Sequence, residues 1–502
     1  MKTFLPLAFF VALTLQGYSQ SFQLYKIVDP GLGYFYADQG KKVIQTDSFY
    51  YIMDVVSLDG FQGVIVKTDK QGIFLKRLDF TSITYNKLVF SSACLTHDGF
   101  LLFCGTYIDY FIGAPRTLLA KVDQNLNLQW AKFLTNPNNT SNGTLYGRAI
   151  FETDEQQHYV IQTSSFQHSY LYHTDLNGNL VNIHNISDTV NAGGLKKTLD
   201  GNLITVGTIE IDSSLVASII KMDLQANVIW HKPIPKSIAG SQITPLNNGK
   251  YAAVLARDTV LNYPYEGIFS SLLIFDENGE IEHEQLFETP YDHQKPLGLI
   301  TAANGDVIGC GVTDAPVYQK GWLFRATPQG DILWQRFFSD SLKRPWSQLP
   351  FYDLAENPDG SIVVSGSVKD SVGGLNPYDP ENVNENLVLL VTDANGCLTS
   401  DCPEGFQDVT TAVKGINREI HSLEVYPNPA YDLLTIIIPE NFQGQNTRVE
   451  LYDALGRSVL QQNAGSNVAS EKIDIQRLKS GYYLRSLRSS DGKFVRQKVV
   501  IR

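Results

Sequence analysis

The segment LTHDGFLLFCGTYIDYFIGAPRTLLAKVDQNLNLQWAKFL, residues 95–134, decides the fold of this 502-residue chain. It contains an Asp-Gly turn, an apolar run, a long loop, a second apolar run ending in Lys-x-Asp, and a tight turn before Trp130. Short apolar runs bounded by Asp, Asn and Gly turns are typical of β-strands. Together with the residues before it, the segment predicts a unit of four short strands.

The same pattern recurs along the chain, most clearly at residues 197–234 and 300–338. Weaker copies occupy residues 46–80, 151–186, 243–287 and 354–398. The residue that closes the third strand recurs at intervals of 48 to 66 residues, at Asp69, Asp123, Asp175, Asp223, Asp276, Thr327 and Asp393. Four-stranded units with a period of roughly 40–50 residues are typical of a β-propeller, whose blades stack around an axis. We therefore predict an all-β propeller of about seven blades over residues 20–402, with six and eight blades as alternatives.

The last copy supplies three strands and then stops at Cys397. The missing fourth strand is predicted to come from the other end of the repeat region, from FQLYKIV at residues 22–28. Such an arrangement would join the first and last blades and remove an exposed sheet edge.

Two classes of connection separate the predicted strands. The first-to-second and third-to-fourth connections are short, whereas the other connections are long and, in a propeller, emerge on one face. The long connections are rich in aromatic residues, and sugar rings stack on aromatic faces. The predicted ligand-binding residues there are Tyr107, Tyr110, Phe111, Tyr263, Tyr265, Tyr318, Trp346 and Tyr378. Loop carboxylates that a polysaccharide hydrolase or lyase would need are Asp109, Asp258, Glu266, Asp314, Asp379 and Glu381.

Export is predicted from the first residues of the chain. Residues 1–19 contain Lys2, a 12-residue apolar run and small residues before a cut after Ser19, which is typical of a secretory signal peptide. The apolar run is shorter than the roughly 20 residues that a membrane-spanning helix needs. The net charge of −12 argues against nucleic acid as a partner.

Residues 403–423 lose the repeat and are predicted to be a linker. In residues 424–502, short strand-like runs separated by turns predict a small immunoglobulin-like β-sandwich. Its marker stretches are VYPNPAYDLLTI (425–436), ELYDALGRSVL (450–460), LKSGYYLR (478–485) and the closing KVVIR (498–502).

In these stretches the module resembles the type A C-terminal sorting domain of the type IX secretion system, with a plain adhesion module as the alternative. The residues that carry the resemblance are Pro427, Asn428, Pro429, Gly456, Gly481 and Lys498. The resemblance implies passage through the periplasm of a Gram-negative cell to the cell surface or outside. It also implies two partners, the secretion machinery and a sortase-like protease.

Five cysteines are too few for a disulfide scaffold in a chain of this length. Cys397 and Cys402 flank a four-residue loop and are predicted to form a disulfide. Cys94 and Cys104 lie on either side of a turn, either as a cross-strand bridge or as two buried thiols. Cys310 has no evident partner.

No cofactor, metal site or catalytic set is predicted. Trp130, Trp230 and Trp334 recur at one blade position, as in quinone-dependent propellers, but packing between blades explains them better. Asp123-x-Asn125-x-Asn127 resembles a calcium loop yet lacks the acid at its twelfth position, so we predict a hairpin turn. A surface protein that binds a glycan or a protein is therefore favoured over a polysaccharide hydrolase or lyase.

Overall fold

The computed structural model describes the ranges that follow, and they fall into two compact units, residues 25–408 and 425–502. The described residues are 25–27, 41–57, 61–80, 86–109, 116–134, 146–155, 157–164, 169–186, 190–211, 214–258, 268–287, 293–314, 319–339, 348–371, 383–398, 406–408, 425–438, 447–452, 458–464, 468–489 and 494–502. The predicted signal peptide lies outside these ranges.

Twenty-nine strands make up the first unit within the described residues. In chain order they are β1 (Tyr25–Ile27), β2 (Lys42–Gln45), β3 (Phe49–Ser57), β4 (Phe61–Asp69), β5 (Phe74–Phe80), β6 (Asn86–Leu95), β7 (Leu101–Asp109), β8 (Arg116–Val122), β9 (Leu128–Leu134), β10 (Tyr146–Glu152), β11 (Tyr159–Ser164), β12 (Ser169–Thr174), β13 (Leu180–Ile186), β14 (Val190–Lys197), β15 (Leu203–Ile211), β16 (Ser214–Met222), β17 (Val228–Pro233), β18 (Ser237–Pro245), β19 (Tyr251–Asp258), β20 (Ile268–Phe275), β21 (Ile281–Leu286), β22 (His293–Thr301), β23 (Val307–Asp314), β24 (Gln319–Ala326), β25 (Ile332–Ser339), β26 (Phe351–Glu356), β27 (Ile362–Ser371), β28 (Val383–Thr392) and β29 (Phe406–Asp408).

These strands form seven sheets within the described residues, and each sheet pairs its strands in chain order except where β1 joins β28. We number the sheets as blades: blade 1 is β2–β5, blade 2 β6–β9, blade 3 β10–β13, blade 4 β14–β17, blade 5 β18–β21, blade 6 β22–β25 and blade 7 β26–β28. Strand β29, inside the predicted linker, adds to the outer edge of blade 6 by parallel pairing with β25. The predicted all-β propeller of seven blades is confirmed.

The blades form a closed ring. First strands of successive blades contact one another, and β26 of blade 7 contacts β2 of blade 1. Val43 and Ile52 of blade 1 share one buried cluster with Val363 and Leu389 of blade 7. Exposed side chains concentrate on the fourth strands, so the first strands are innermost and line the axis.

The N-terminal strand completes blade 7, as predicted. Strand β1 pairs antiparallel with β28, with Tyr25 opposite Leu389 and Ile27 opposite Leu387. The blade thereby has four strands in the order β26, β27, β28, β1. Because β1 comes from the opposite end of the repeat region, its pairing ties the two ends of the ring together.

The recurring Asp closes the hairpin between the third and fourth strands. Asp123 Oδ1 accepts hydrogen bonds from the backbone amides of Asn125 and Asn127, both at 2.8 Å. In blade 6 the hydroxyl of Thr327 accepts from the amide of Asp331 at 3.1 Å, so a threonine replaces the aspartate. These side-chain caps of the turn confirm hairpin turns at these positions.

The recurring tryptophans pack between blades, as predicted. Each lies on the fourth strand of one blade against the turn glycine of the next, where a Cβ would stand 2.6 to 2.9 Å from the indole ring. The pairs are Trp130 with Gly178, Trp230 with Gly279 and Trp334 with Gly396. The Trp230 Nε1 group also donates to the Glu277 carbonyl at 2.8 Å.

The second unit is built from two antiparallel sheets. Its strands are β30 (Val425–Tyr426), β31 (Leu433–Ile437), β32 (Thr447–Tyr452), β33 (Ser458–Ala464), β34 (Ser470–Asp474), β35 (Gly481–Ser489) and β36 (Phe494–Ile501). One sheet has the order β30-β31-β34 and the other β33-β32-β35-β36. Leu434 and Ile473 of the first sheet share a buried core with Leu451 and Val499 of the second. This is a small β-sandwich, and its closer likeness to an immunoglobulin fold stays a prediction.

Candidate functional site

We call the propeller face with the first-to-second and third-to-fourth strand turns the short-turn face, and the opposite one the long-loop face. Of the predicted aromatic ligand residues, Tyr107 lies in a described strand, near the long-loop end of β7. The other predicted residues lie outside the described ranges: Tyr110, Phe111, Tyr263, Tyr265, Tyr318, Trp346 and Tyr378.

Tyr107 belongs to an aromatic cluster at the long-loop end of blade 2. Its ring lies 4.8 Å from the ring of Phe133, between centroids, at an angle of 46°. The guanidinium of Arg116 stands 6.0 Å from the same Phe133 ring. Phe133 remains 47% exposed, so an aromatic face beside a cation is accessible at this end of the blade. Such a cluster suits stacking with a sugar ring or a planar side chain.

The short-turn face holds its cations in pairs. Lys121, near the end of a third strand, donates to Asp98 Oδ2 at 2.7 Å in its own blade and to the Tyr159 hydroxyl at 3.0 Å in the next. Lys221 repeats the arrangement with Asp200 at 2.7 Å. Burial disfavours the ammonium of Lys121, but the bonds to Asp98 and Tyr159 outweigh it and raise the pKa. These cations join adjacent blades.

In the described residues, six of the seven innermost strands contain a β-bulge at the same position relative to the strand end. The strand pairing shifts by one residue at that point because the first strand carries an extra residue. Blade 1 has the equivalent feature, since the Lys41 amide bonds to the carbonyl of Met53, the partner of Lys42. The extra residue lies four positions before the last residue of the strand in every blade: Lys41, which directly precedes β2, Ser91, Arg148, Gly193, where the shift lies between Ala192 and Leu195, Ser241, Leu297 and Tyr352. We call these seven residues the bulge ring.

A glycine accompanies each bulge in blades 2 to 7. The residue just before the bulge pairs with a glycine, or is itself one: Gly105, Gly147, Gly207, Gly240, Gly311 and Gly366. A Cβ at Gly311 would lie 2.2 Å from the Lys295 carbonyl oxygen. The repeat pattern did not predict this site, although the glycine in the second strand of four repeat copies is a usable signal for it.

Side chains of the bulge ring face the central channel. The first strands are packed by neighbouring blades on both sheet faces, so an accessible side chain there is accessible from the axis. Arg148 is exposed although Gly147 and Ala149 are buried. The Lys41 ammonium of blade 1 lies 3.8 Å above the centre of the Tyr352 ring of blade 7.

A second layer of charge adjoins the bulge ring. Lys42 Nζ lies 2.8 Å from Asp353 Oδ1, and the Val43 amide donates to Asp353 Oδ2 at 3.0 Å. Lys196 belongs to blade 4, which is three blades away from Lys42 in blade 1 and from Asp353 in blade 7. The charges of Lys42 and Asp353 nevertheless both act on Lys196. Groups on opposite sides of the ring interact only across the channel. Burial, reinforced by Lys42, lowers the pKa of Lys196 from 10.5 to about 8.

The cysteines in the described ranges provide no reactive thiol. Cys94, Cys104 and Cys310 are free, so two thiols rather than a bridge occupy positions 94 and 104. Burial raises the pKa of Cys94 to about 12 and also raises the pKa values of Cys104 and Cys310. Cys397 is disulfide-bonded, and its predicted partner Cys402 lies outside the described residues.

The sorting-motif residues hold the C-terminal strand of the second unit. Asn428 Oδ1 accepts the Val500 amide at 2.9 Å, between Pro427 and Pro429, which are both exposed. Ala430 exchanges backbone bonds of 2.8 Å with Val500 and with Arg502. The remaining motif residues are Gly481 at the start of β35, Lys498 on β36, and Gly456, which lies outside the described ranges.

Comparisons with known proteins identify the second unit. Residues 424–502 match the family model of the secretion system C-terminal sorting domain. No curated protein matches the chain. A helix that could span a bilayer is absent from the part of the chain that the structure describes.

Several solved structures are similar to this chain. One is a polysaccharide lyase of family PL25, an ulvan lyase, at 8% identity and a TM-score of 0.49, covering 73% of this chain and 97% of that one. Another is the Dos1 propeller, at 10% identity and a TM-score of 0.43, covering 72% and 77%. A third is the β-propeller domain of the Trilobed protease from Pyrococcus furiosus, at 9% and 0.41, covering 66% and 91%. Residues 424–502 are thus a C-terminal sorting domain of the type IX secretion system, and the chain is a protein that this system exports to the cell surface or outside.

Proposed function

We propose that the exported propeller binds a ligand through its long-loop face, and that a glycan is the ligand this face suits best. The exposed Phe133 ring, with the tilted ring of Tyr107 packed against it and Arg116 beside it, carries the proposal. An exposed aromatic ring offers a flat apolar surface to a sugar, and a guanidinium donates hydrogen bonds to its hydroxyls.

The contrast between the two faces supports the same conclusion. On the short-turn face, buried cations and turn residues satisfy one another within the protein. The long loops leave the opposite face, and variable loops on a rigid scaffold are where recognition usually resides. The predicted residues Tyr265 and Tyr378 belong to these loops and are part of the proposed surface.

A glycan array tests the proposal directly. The exported chain, residues 20–502, would be applied beside a Phe133→Ala variant and a Tyr265→Ala/Tyr378→Ala variant. We expect a hit whose affinity falls about tenfold in Phe133→Ala, which corresponds to about 1.4 kcal/mol. Phe74→Ala is a matched control, because Phe74 is 41% exposed on the fourth strand of blade 1 at the short-turn end.

The outcomes separate the kinds of ligand. Equal losses in Phe133→Ala and Phe74→Ala would contradict a site on the long-loop face. If no glycan bound, the ligand would be sought among proteins. The proteins captured from the native cell surface would then be compared between the wild type and Phe133→Ala.

A polysaccharide hydrolase or lyase is the second candidate. Its basis is that Asp109, Asp258 and Asp314 each end the second strand of a blade, which brings all three to the long-loop face. Two carboxylates close together could perform general acid and base catalysis on a polysaccharide. Release of reducing or unsaturated ends from a polymer, abolished by Asp258→Asn, would favour this candidate over simple binding.

A further inference from the structure

We propose that the central channel is a second binding site, which takes the acidic group of an anionic oligosaccharide on Arg148, Lys41 and Lys196. The proposal rests on the proposed function. It adds the class of glycan that is bound and the place where the end of the glycan or one of its branches is held. The shared chemistry is an oxyanion on a sugar, either a carboxylate or a sulfate.

The distribution of charge is the first argument. The chain as a whole carries −12, yet the described channel groups are mainly cationic. They are four cations and one carboxylate: Lys41, Lys42, Arg148, Lys196 and Asp353. A cleft lined by one sign of charge and walled by protein concentrates its field, so an anion is attracted into this channel.

The bonding of these cations is the second argument. Lys42 is neutralised by Asp353, whereas Lys196 has no hydrogen-bond or ion-pair partner within the described ranges. Arg148 uses Nε for the hydroxyl of Ser164 at 2.8 Å, and its guanidinium carbon lies 5.3 Å from the centre of the Tyr146 ring. Its terminal nitrogens have no hydrogen-bond or ion-pair partner in the same ranges. A guanidinium with both terminal nitrogens available matches the two oxygens of a carboxylate or sulfate.

The bulges are the third argument, because they place these side chains. One extra residue in the first strand of each blade turns a side chain toward the axis, at the same position along the strand in every blade. β-Bulges are frequent beside functional sites. The ring also offers uncharged groups that suit a sugar: the hydroxyl of Ser91 and the apolar side chain of Leu297. The same backbone feature thus brings cations and sugar-binding groups together.

Calorimetric titration of the exported chain, residues 20–502, tests the site. The probes are a galacturonate tetrasaccharide, a sulfated galactan tetrasaccharide and a neutral galactan tetrasaccharide. We expect at least one acidic probe to bind and the neutral probe to bind at least tenfold more weakly. Arg148→Gln should weaken the acidic probe at least tenfold, whereas Lys132→Gln, on the fourth strand of blade 2, should leave it unchanged.

Each outcome decides between the proposals. Equal binding of neutral and acidic probes, equal behaviour of the two variants, or no acidic binding at all would overturn the channel site. The proposed function would survive that result if another ligand were lost in Phe133→Ala. Loss of acidic binding in Arg148→Gln but not in Phe133→Ala would instead support the channel alone. If sodium sulfate bound as tightly as the sulfated tetrasaccharide, the proposal of a sugar ligand would be wrong and the channel would be a site for an inorganic anion.

The pH dependence gives an independent readout. An anion favours protonated Lys196, so affinity should fall as pH rises through about 8, by up to about tenfold per pH unit. Lys196→Arg should keep the affinity at high pH, because arginine stays charged. Lys42 and Asp353 act on Lys196 across the channel, while neighbouring strand β18 carries no ionisable side chain. The neighbouring strands also carry Arg148 and Glu152 on β10 and Glu210 on β15, and Lys197 of the same strand pairs with Asp154.

Discussion

Two regions of the propeller hold lysines in opposite ways. On the short-turn face Lys121 is buried and paired with Asp98 and Tyr159, and its pKa is raised. In the central channel Lys196 is half-buried without such a partner in the described ranges, and its pKa is lowered to about 8. The same ammonium group therefore stabilises one region and is left available in the other.

The difference follows from which strand carries the lysine. A lysine near the end of a third strand lies between the turn of its own blade and the next blade, where an acid and a tyrosine reach it. Lys196, on the first strand of blade 4, faces the axis, and the width of the ring separates it from Asp353, which pairs with Lys42. Paired cations join blades, and Lys196 at the axis is suited to a ligand.

The largest expected effect comes from breaking the bulge ring itself. Gly311→Ala should lower the free energy of unfolding by about 3 kcal/mol, because its Cβ would lie 2.2 Å from the Lys295 carbonyl oxygen. Gly194→Ala is the control, since its nearest neighbour, at 3.0 Å, is the end of the flexible Gln242 side chain. Urea unfolding measures both, and equal losses would mean that the glycine contact is not what forms the bulge.

Removing a paired lysine should have a smaller effect. Lys121→Met leaves the buried Tyr159 hydroxyl without its partner, whereas Asp98 is half-exposed and regains water. We expect a loss of about 1–2 kcal/mol in the free energy of unfolding. Lys132→Met on an outer strand should cost no more than about 0.5 kcal/mol in the same urea titration.

Removing the channel lysine should have the opposite sign. Lys196→Met should leave the free energy of unfolding unchanged or raise it by up to about 1 kcal/mol at pH 7, because the folded state disfavours this ammonium. Between pH 8 and 10.5 the unfolded wild type binds more protons than the folded one, so its stability rises and the difference shrinks. A loss of stability at pH 7 would mean that Lys196 is a structural cation like Lys121.

The smallest expected effect is a change in the pKa of Lys196, which tests the electrostatic difference between the two regions. The carboxylate of Asp353 raises the pKa of Lys196 against the effects of burial and Lys42. Asp353→Asn should therefore lower the pKa of Lys196 further below 8, with no change in the pKa of Lys121. Titration of the lysine side-chain signals by NMR measures both, and an unchanged pKa at Lys196 would contradict contact across the channel.

Much of the fold was predictable because its signals are local. An Asp that caps a turn two and four residues ahead, as Asp123 does, can be recognised by its spacing. Six such aspartates and the equivalent Thr327 gave the blade number, and the missing strand of the last copy led to residues 22–28 for closure. The tryptophans were attributed correctly to packing between blades, because they follow a turn and the equivalent residue in other copies is not tryptophan.

The candidate site was predicted only in part. Tyr107 was predicted to lie in a long loop, whereas it is in strand β7, and its partner Phe133 is on the fourth strand and carries no loop signal. The bulge ring was missed because its seven residues have no common chemistry, from Gly193 to Arg148. What they share is a shift in strand pairing, which depends on the register between two strands.

The sequence by itself determined the export route, the repeat, the number of blades and the closing strand, because each depends on short motifs or on their spacing. Only the tertiary structure decided which lysines are paired and which face the axis. Lys42, Lys196 and Asp353 lie far apart in the chain, and closure of the ring brings them together across one channel. The sign of a pKa shift depends on those neighbours and on burial, and neither can be read from the residue alone.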